Sequence, residues 1–84
     1  MKYLAKIQIM PKKELLDPQG KTVGNNLKNI GIQNISEVRI GKNIECIVEA
    51  DNETQAAESA EKASSKLLAN LIMEDFKIEI IPLS

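Results

Sequence analysis

The sequence predicts an α+β domain, and three observations predict it. Apolar residues alternate over residues 2–10, 35–40, 44–50 and 76–80, the period of a half-buried strand. In two other stretches they recur at helical spacing: Val23, Leu27 and Ile30, then Ala56, Ala60, Ala63, Leu67 and Leu71. The two kinds of segment follow one another as β-α-β-β-α-β within 84 residues. The natural solution for that order is a four-stranded antiparallel sheet with both helices on one face, the ferredoxin-like arrangement.

In the first strand Tyr3, Ala5, Ile7 and Ile9 share one face, and Lys2, Lys6 and Gln8 the other. Pro11 ends it, and Lys12-Lys13-Glu14 makes a polar connection. Asp17-Pro18 reads as an N-cap followed by proline at the first helical position, where its missing N–H costs nothing. Gly31 closes that helix by taking the left-handed conformation.

The next two strands face a choice of turn. Val38 and Ile40 are apolar at even positions, as are Ile44, Cys46 and Val48. A two-residue loop would put the two sets on opposite faces, because a one-residue slip flips every side chain. The phase predicts a three-residue loop, Gly41-Lys42-Asn43, with Ile40 opposite Ile44 and Asn43 or a glycine-centred bulge in the left-handed position. Asn52 with Gln55 three residues on resembles a capping box, and the alanine-rich start of the second helix lets it lie close on the sheet. Phe76, Ile78 and Ile80 alternate with Lys77 and Glu79 as the last strand, which Pro82 stops. The opposite sheet face should carry Leu4, Gln8, Arg39, Glu45, Ile47 and Lys77 among others. That mixture suits a polar-rimmed contact surface, or an ordinary amphipathic outer face with scattered aliphatics.

A chain of 84 residues has room for one domain, residues 1–84, and no second core. It buries only roughly 60–65% of the surface that its unfolded form exposes. Tyr3 and Phe76 are the only aromatics, so aliphatic residues must build the core. Self-association would relieve that deficit. Net charge is −1, but residues 1–42 hold eight basic side chains against three acidic, and residues 43–84 three against nine. Such an asymmetry marks either a nucleic-acid surface or solvated faces that complement one another in an oligomer. Cys46 stands alone, which excludes an internal disulfide and a cysteine metal cluster, and a buried inert thiol is the default. Lysines interrupt the first apolar run too soon for a signal peptide. No segment approaches the ~20 apolar residues of a membrane span. A cytoplasmic protein without membrane contact is expected.

The chain has no histidine, so the usual acid or base near neutral pH is absent, and no familiar nucleophile–base pair can be drawn. Glu74-Asp75 is the closest carboxylate cluster and reads as a solvated lead-in to the last strand. The four glycines form no phosphate loop. Neither catalysis, a metal nor a cofactor is expected. An RNA-recognition module would need stacking aromatics on its central strands, and the third strand offers Cys46, Ile47 and Val48 instead, so no nucleic-acid partner is expected. An acylphosphatase-like enzyme needs arginine, and a heavy-metal carrier two cysteines, in the first strand–helix loop; Lys12 and Lys13 lie there. A ligand-sensing regulatory module of the ACT type, whose sites are built from backbone at a dimer interface, is the alternative that residue chemistry leaves open.

Leu16-Asp17-Pro18-Gln19-Gly20-Lys21 followed by Val23 and Leu27, then Val38-Arg39-Ile40-Gly41-Lys42 with Glu45 beyond, then Leu67-Leu68-Ala69-Asn70 and Glu74-Asp75-Phe76 say more. In their order and spacing they resemble the PurS family over the full length. PurS is the small subunit of the multi-chain phosphoribosylformylglycinamidine synthase of purine biosynthesis. The resemblance implies a non-catalytic subunit, similar to a half-domain of the single-chain synthase. It helps join a glutaminase subunit to an ATP-dependent synthetase subunit, so that ammonia reaches formylglycinamide ribonucleotide. It also implies homodimers, able to pair into tetramers. Family members usually carry proline after the residue here numbered Asn70; this chain has Leu71-Ile72-Met73, which predicts a second helix running a residue or two further.

Six residues are the candidate partner contacts. Asp17 has a sufficient local role as a cap. Gln19 and Gly20 are less well explained by capping, since glycine in a first turn costs up to ~1 kcal/mol; a close approach by a partner backbone would account for it. Arg39, the only arginine, suits a bidentate contact with a partner carboxylate or a cross-strand pair with a glutamate. Lys42 and Glu45 are rim candidates.

Overall fold

In the computed structural model of the chain, which describes residues 1–13, 15 and 17–83, the strand β1 (Lys2–Pro11) lies between two antiparallel neighbours. They are β2 (Lys42–Glu49) and β3 (Glu74–Pro82), giving a three-stranded sheet in the order β2-β1-β3. The register brings Tyr3 opposite Val48, Ala5 opposite Cys46 and Ile7 opposite Ile44 on one side. On the other side Ala5 meets Ile80, Ile7 meets Ile78 and Ile9 meets Phe76. Period-two alternation in all three strands therefore converges on one apolar face, as the sequence predicts. Glu14 of the predicted polar connection and Leu16 of the helix motif lie outside the described residues.

One helix covers that face. In α2 (Glu53–Ala63) the Asn52 side chain accepts the Gln55 N–H at 2.8 Å, and the Gln55 side chain reaches back to the Asp51 N–H at 2.7 Å. This is the predicted capping box, with its return bond one residue earlier. Ala56 and Ala60 are buried, and small side chains let the helix sit close to β1. Beyond Ala63 the helix widens into a π-helical turn, Ser64–Leu68. The buried Ser64 hydroxyl donates to the Ala60 carbonyl at 2.8 Å. The stripe facing the sheet thus steps through 56, 60 and 64 to the half-buried Leu68. This corrects the predicted stripe: Ala63, at the end of α2, faces outward, and the wider turn carries Leu67 outward as well, 82% exposed. Nor does the helix run past Asn70. Ala69 is extended, and Asn70 caps a turn into β3, its carbonyl accepting the Glu74 N–H at 2.7 Å and its side chain the Ile72 N–H at 3.1 Å.

The predicted fourth strand does not join the sheet. Glu37 has φ 57°, a left-handed backbone that breaks the extended run over Ile35–Ile40. The Ile40 N–H is bound by the Asp17 carboxylate rather than by a strand. Ile40 and Ile44 therefore do not pair, and no Gly41-Lys42-Asn43 loop forms: Lys42 and Asn43 belong to β2, opposite Ile9 and Gln8.

The first helix, α1 (Pro18–Asn29), begins as predicted, with Asp17 as N-cap, and is followed by Gly31 at φ 93°. It does not pack on the sheet. Residues 35–40 run back along it instead, so the two project together as an arm. The chain measures 51 × 28 × 14 Å with a radius of gyration of 16.4 Å, against about 12 Å for a compact chain of this length. The apolar stripe of α1 stays open, with Val23 37% and Ile30 72% exposed. Cys46, expected to be buried, is half-buried for the same reason, on a strand at the sheet edge that only α2 covers.

Candidate functional site

The predicted contact residues gather where the arm joins the sheet. Asp17 stands at the centre. One carboxylate oxygen accepts the Gly20 N–H at 3.0 Å and the other the Ile40 N–H at 2.8 Å. These two bonds, the Gly20 bond foremost, hold its carboxyl below the usual carboxylate range, helped by the positive charge of Arg39. The helix start is thereby fastened to the end of the returning segment.

Gly20 is buried, and a Cβ there would land on the Val38 carbonyl. The backbone that approaches it is the chain's own. Gly24, one turn on, meets only the Val38 side chain at ordinary distance. The Arg39 guanidinium donates to the Pro11 carbonyl at the end of β1. A Cβ on Gly41 would press on the Ile9 carbonyl and the Met10 sulfur, so the chain crosses back into the sheet at close quarters. Arg39 is thus set beside the outer sheet face where the sequence placed it, but from a segment outside the sheet, and with a carbonyl rather than a glutamate as its partner.

Gln19 is exposed and lines an open cleft of about 360 Å³ between the arm and the turn into β3, with Asp17, Ile40, Asn70, Met73 and Glu74 on its walls. Lys42 lies 3.7 Å from the Glu74 carboxylate, whose second oxygen accepts the Asn70 N–H at 2.8 Å. Five of the six candidates therefore meet around one junction. Glu45 does not; it is exposed in mid-strand on the outer face, opposite Lys6. The roles of Asn70, Glu74 and the Pro11 carbonyl are not foreseen by sequence reasoning. Only the turn-forming character of Asn70 hints at one of them.

The junction offers hydrogen-bonding groups and a cleft, but no nucleophile paired with a base. Among the described residues no group of three or more carboxylate, cysteine or histidine side chains could hold a metal ion. No helix among the described residues is long and apolar enough to cross a membrane.

Residues 4–82 match the family model of PurS, phosphoribosylformylglycinamidine (FGAM) synthase. The chain belongs to the PurS family. The PurS subunit of the synthase from Methanocaldococcus jannaschii is 37% identical over 78 residues, covering 93% of this chain and 94% of that one. The subunit from Mycobacterium leprae is 40% identical over 74 residues, 88% of this chain and 90% of its own. Among solved structures, Thermus thermophilus PurS superposes with a TM-score of 0.87 at 39% identity, over 100% of both chains. A chain of the PurLQS structure from Thermotoga maritima gives 0.89 at 27% identity, over 96% of this chain and 99% of that one. The likeness spans the arm as well as the sheet. PurS is a subunit of FGAM synthase in purine biosynthesis, and this chain is assigned to that role.

Proposed function

We propose that this chain is the non-catalytic assembly subunit that joins the glutaminase and ATP-dependent synthetase subunits of FGAM synthase. Ammonia released from glutamine is then transferred to formylglycinamide ribonucleotide. The observation that carries this reading is the full-length likeness to a chain of the Thermotoga maritima PurLQS structure. The shape supports it. A single domain whose first helix leaves its own sheet, with Val23 and Ile30 open, has apolar surface suited to other chains.

In this reading the first of those chains is a second copy, giving a homodimer that can pair into a tetramer in the cytoplasm. The free edge of β2 accepts the fourth strand of the ferredoxin-like sheet within the assembly. Gln19, Lys42 and Glu45 are exposed and stand as contacts to the larger subunits, with Arg39 beside them, its guanidinium held by the Pro11 carbonyl. Asp17 and Gly20 act on those contacts by fixing the arm. Co-elution tests the proposal. The chain should elute with the glutaminase and synthetase subunits when all three are mixed with glutamine and ADP. A chain that runs alone under those conditions contradicts it.

A further inference from the structure

We propose that the outer face of the sheet carries an anion groove, formed by Lys13, Arg39 and Lys77, that takes the phosphate of a small phosphorylated sugar. A hollow of about 350 Å³ opens where β1 and β3 meet the returning segment; its polar lining is Gln8, Lys13, Arg39, Asp75 and Lys77. Three cations face one carboxylate, and that carboxylate lies 3.9 Å from the Lys12 ammonium. Asp17, near enough for its charge to act on Arg39, spends both oxygens on backbone N–H groups. Even with Asp17 counted beside Asp75, the four cations Lys12, Lys13, Arg39 and Lys77 leave the groove net positive, and that charge can act on a ligand. Arg39 is fixed by its bond to the Pro11 carbonyl, which leaves the rest of its planar fork for a phosphate and lowers the ordering cost of binding.

A second hollow of about 220 Å³ continues along the same face, lined by Lys6, Gln8, Asn43, Lys77 and Glu79. It shares Gln8 and Lys77 with the first. The register sets Asn43, Gln8 and Lys77 in one row across the three strands, and Lys6 beside Glu79 in the next. The Asn43 and Gln8 amides in the row of Lys77, with the Glu79 carboxylate in the next, are the groups that hold sugar hydroxyls. A size near the lower end of small-molecule sites, with a cluster of cations at one end and amides, Lys6 and Glu79 at the other, favours a sugar phosphate over an acidic protein segment. The inference does not depend on the assembly reading.

Calorimetric titration of the full chain at low ionic strength with inorganic phosphate, ribose 5-phosphate, ribose and a Glu/Asp-rich peptide tests it. Saturable binding of both phosphates, tighter for ribose 5-phosphate, is expected, with ribose alone silent. Lys77→Gln should weaken binding about tenfold, the loss of one charge-assisted bond. Among the described residues Lys77 makes no ion pair, so this variant keeps the fold; Arg39→Gln should weaken binding as much. Lys28→Gln on α1 should change nothing. Absence of saturable binding, binding insensitive to both groove substitutions, or a preference for the peptide would overturn the proposal.

Discussion

The Asp17 carboxylate meets the Ile40 backbone N–H at 2.8 Å across 23 residues of sequence. That bond ties the first turn of α1 to the point where the chain turns back into the sheet. Asp17→Ala should loosen the arm and lower the melting temperature, while Asp17→Asn should retain most of the cap. The pH dependence follows from the lowered carboxyl pKa. A group whose folded pKa lies below its unfolded value stabilises in full above the unfolded pKa, about 4. That stabilisation fades as pH falls through the lower folded value. Thermal melts between pH 6 and 3 should show Asp17→Asn converging on the native chain at the acid end; a constant gap would contradict the latch.

Gly20 and Gly24 separate close approach from simple helix weakness. A Cβ at Gly20 meets the Val38 backbone, so Gly20→Ala should cost about 1–3 kcal/mol by overpacking. At Gly24 the nearest group is the Val38 methyl at 3.8 Å, an ordinary contact. Gly24→Ala should instead stabilise by about 0.5–1 kcal/mol through helix propensity. Urea denaturation of the two variants should give shifts of opposite sign.

Glu37 marks the break in the predicted strand. At φ 57° a β-branched side chain is strongly disfavoured. Glu37→Val should lower stability further, whereas Glu37→Gly, which removes the cost of about 1–2 kcal/mol that a Cβ bears there, should be neutral or better. If Glu37→Val raised stability instead, the segment would be a strand after all.

Lys42 pairs with Glu74 near the surface, where an ion pair contributes about 0–1 kcal/mol. Lys42→Ala should therefore leave urea midpoints nearly unchanged. A marked loss of co-elution with the larger subunits in that variant would assign Lys42 to a contact outside the chain. Unchanged co-elution would remove it from the candidates.

Where a residue's role is local, the sequence reveals it. Asp17-Pro18 starts α1, Gly31 follows its end with positive φ, Asn52 and Gln55 cap α2, and alternation places β1, β2 and β3. Where the role depends on what a segment packs against, it does not. Val38 and Ile40 alternate like strand residues because alternation reports only a half-buried extended chain, and here the covering element is α1. Helical spacing alone gives no sign that Ser64 opens a π-helical turn, so Leu67 counts as buried until the structure turns it outward. Five of the six contact candidates share one junction because the motifs that carry the family resemblance are the ones that fasten the arm.

The central claim is that this chain enables glutamine to feed the synthase. The direct measurement is formation of the amidine product from formylglycinamide ribonucleotide, ATP and glutamine by the glutaminase and synthetase subunits, with and without this chain. Product should appear, or rise strongly, only when the chain is added. Equal product in its absence would contradict the assembly role.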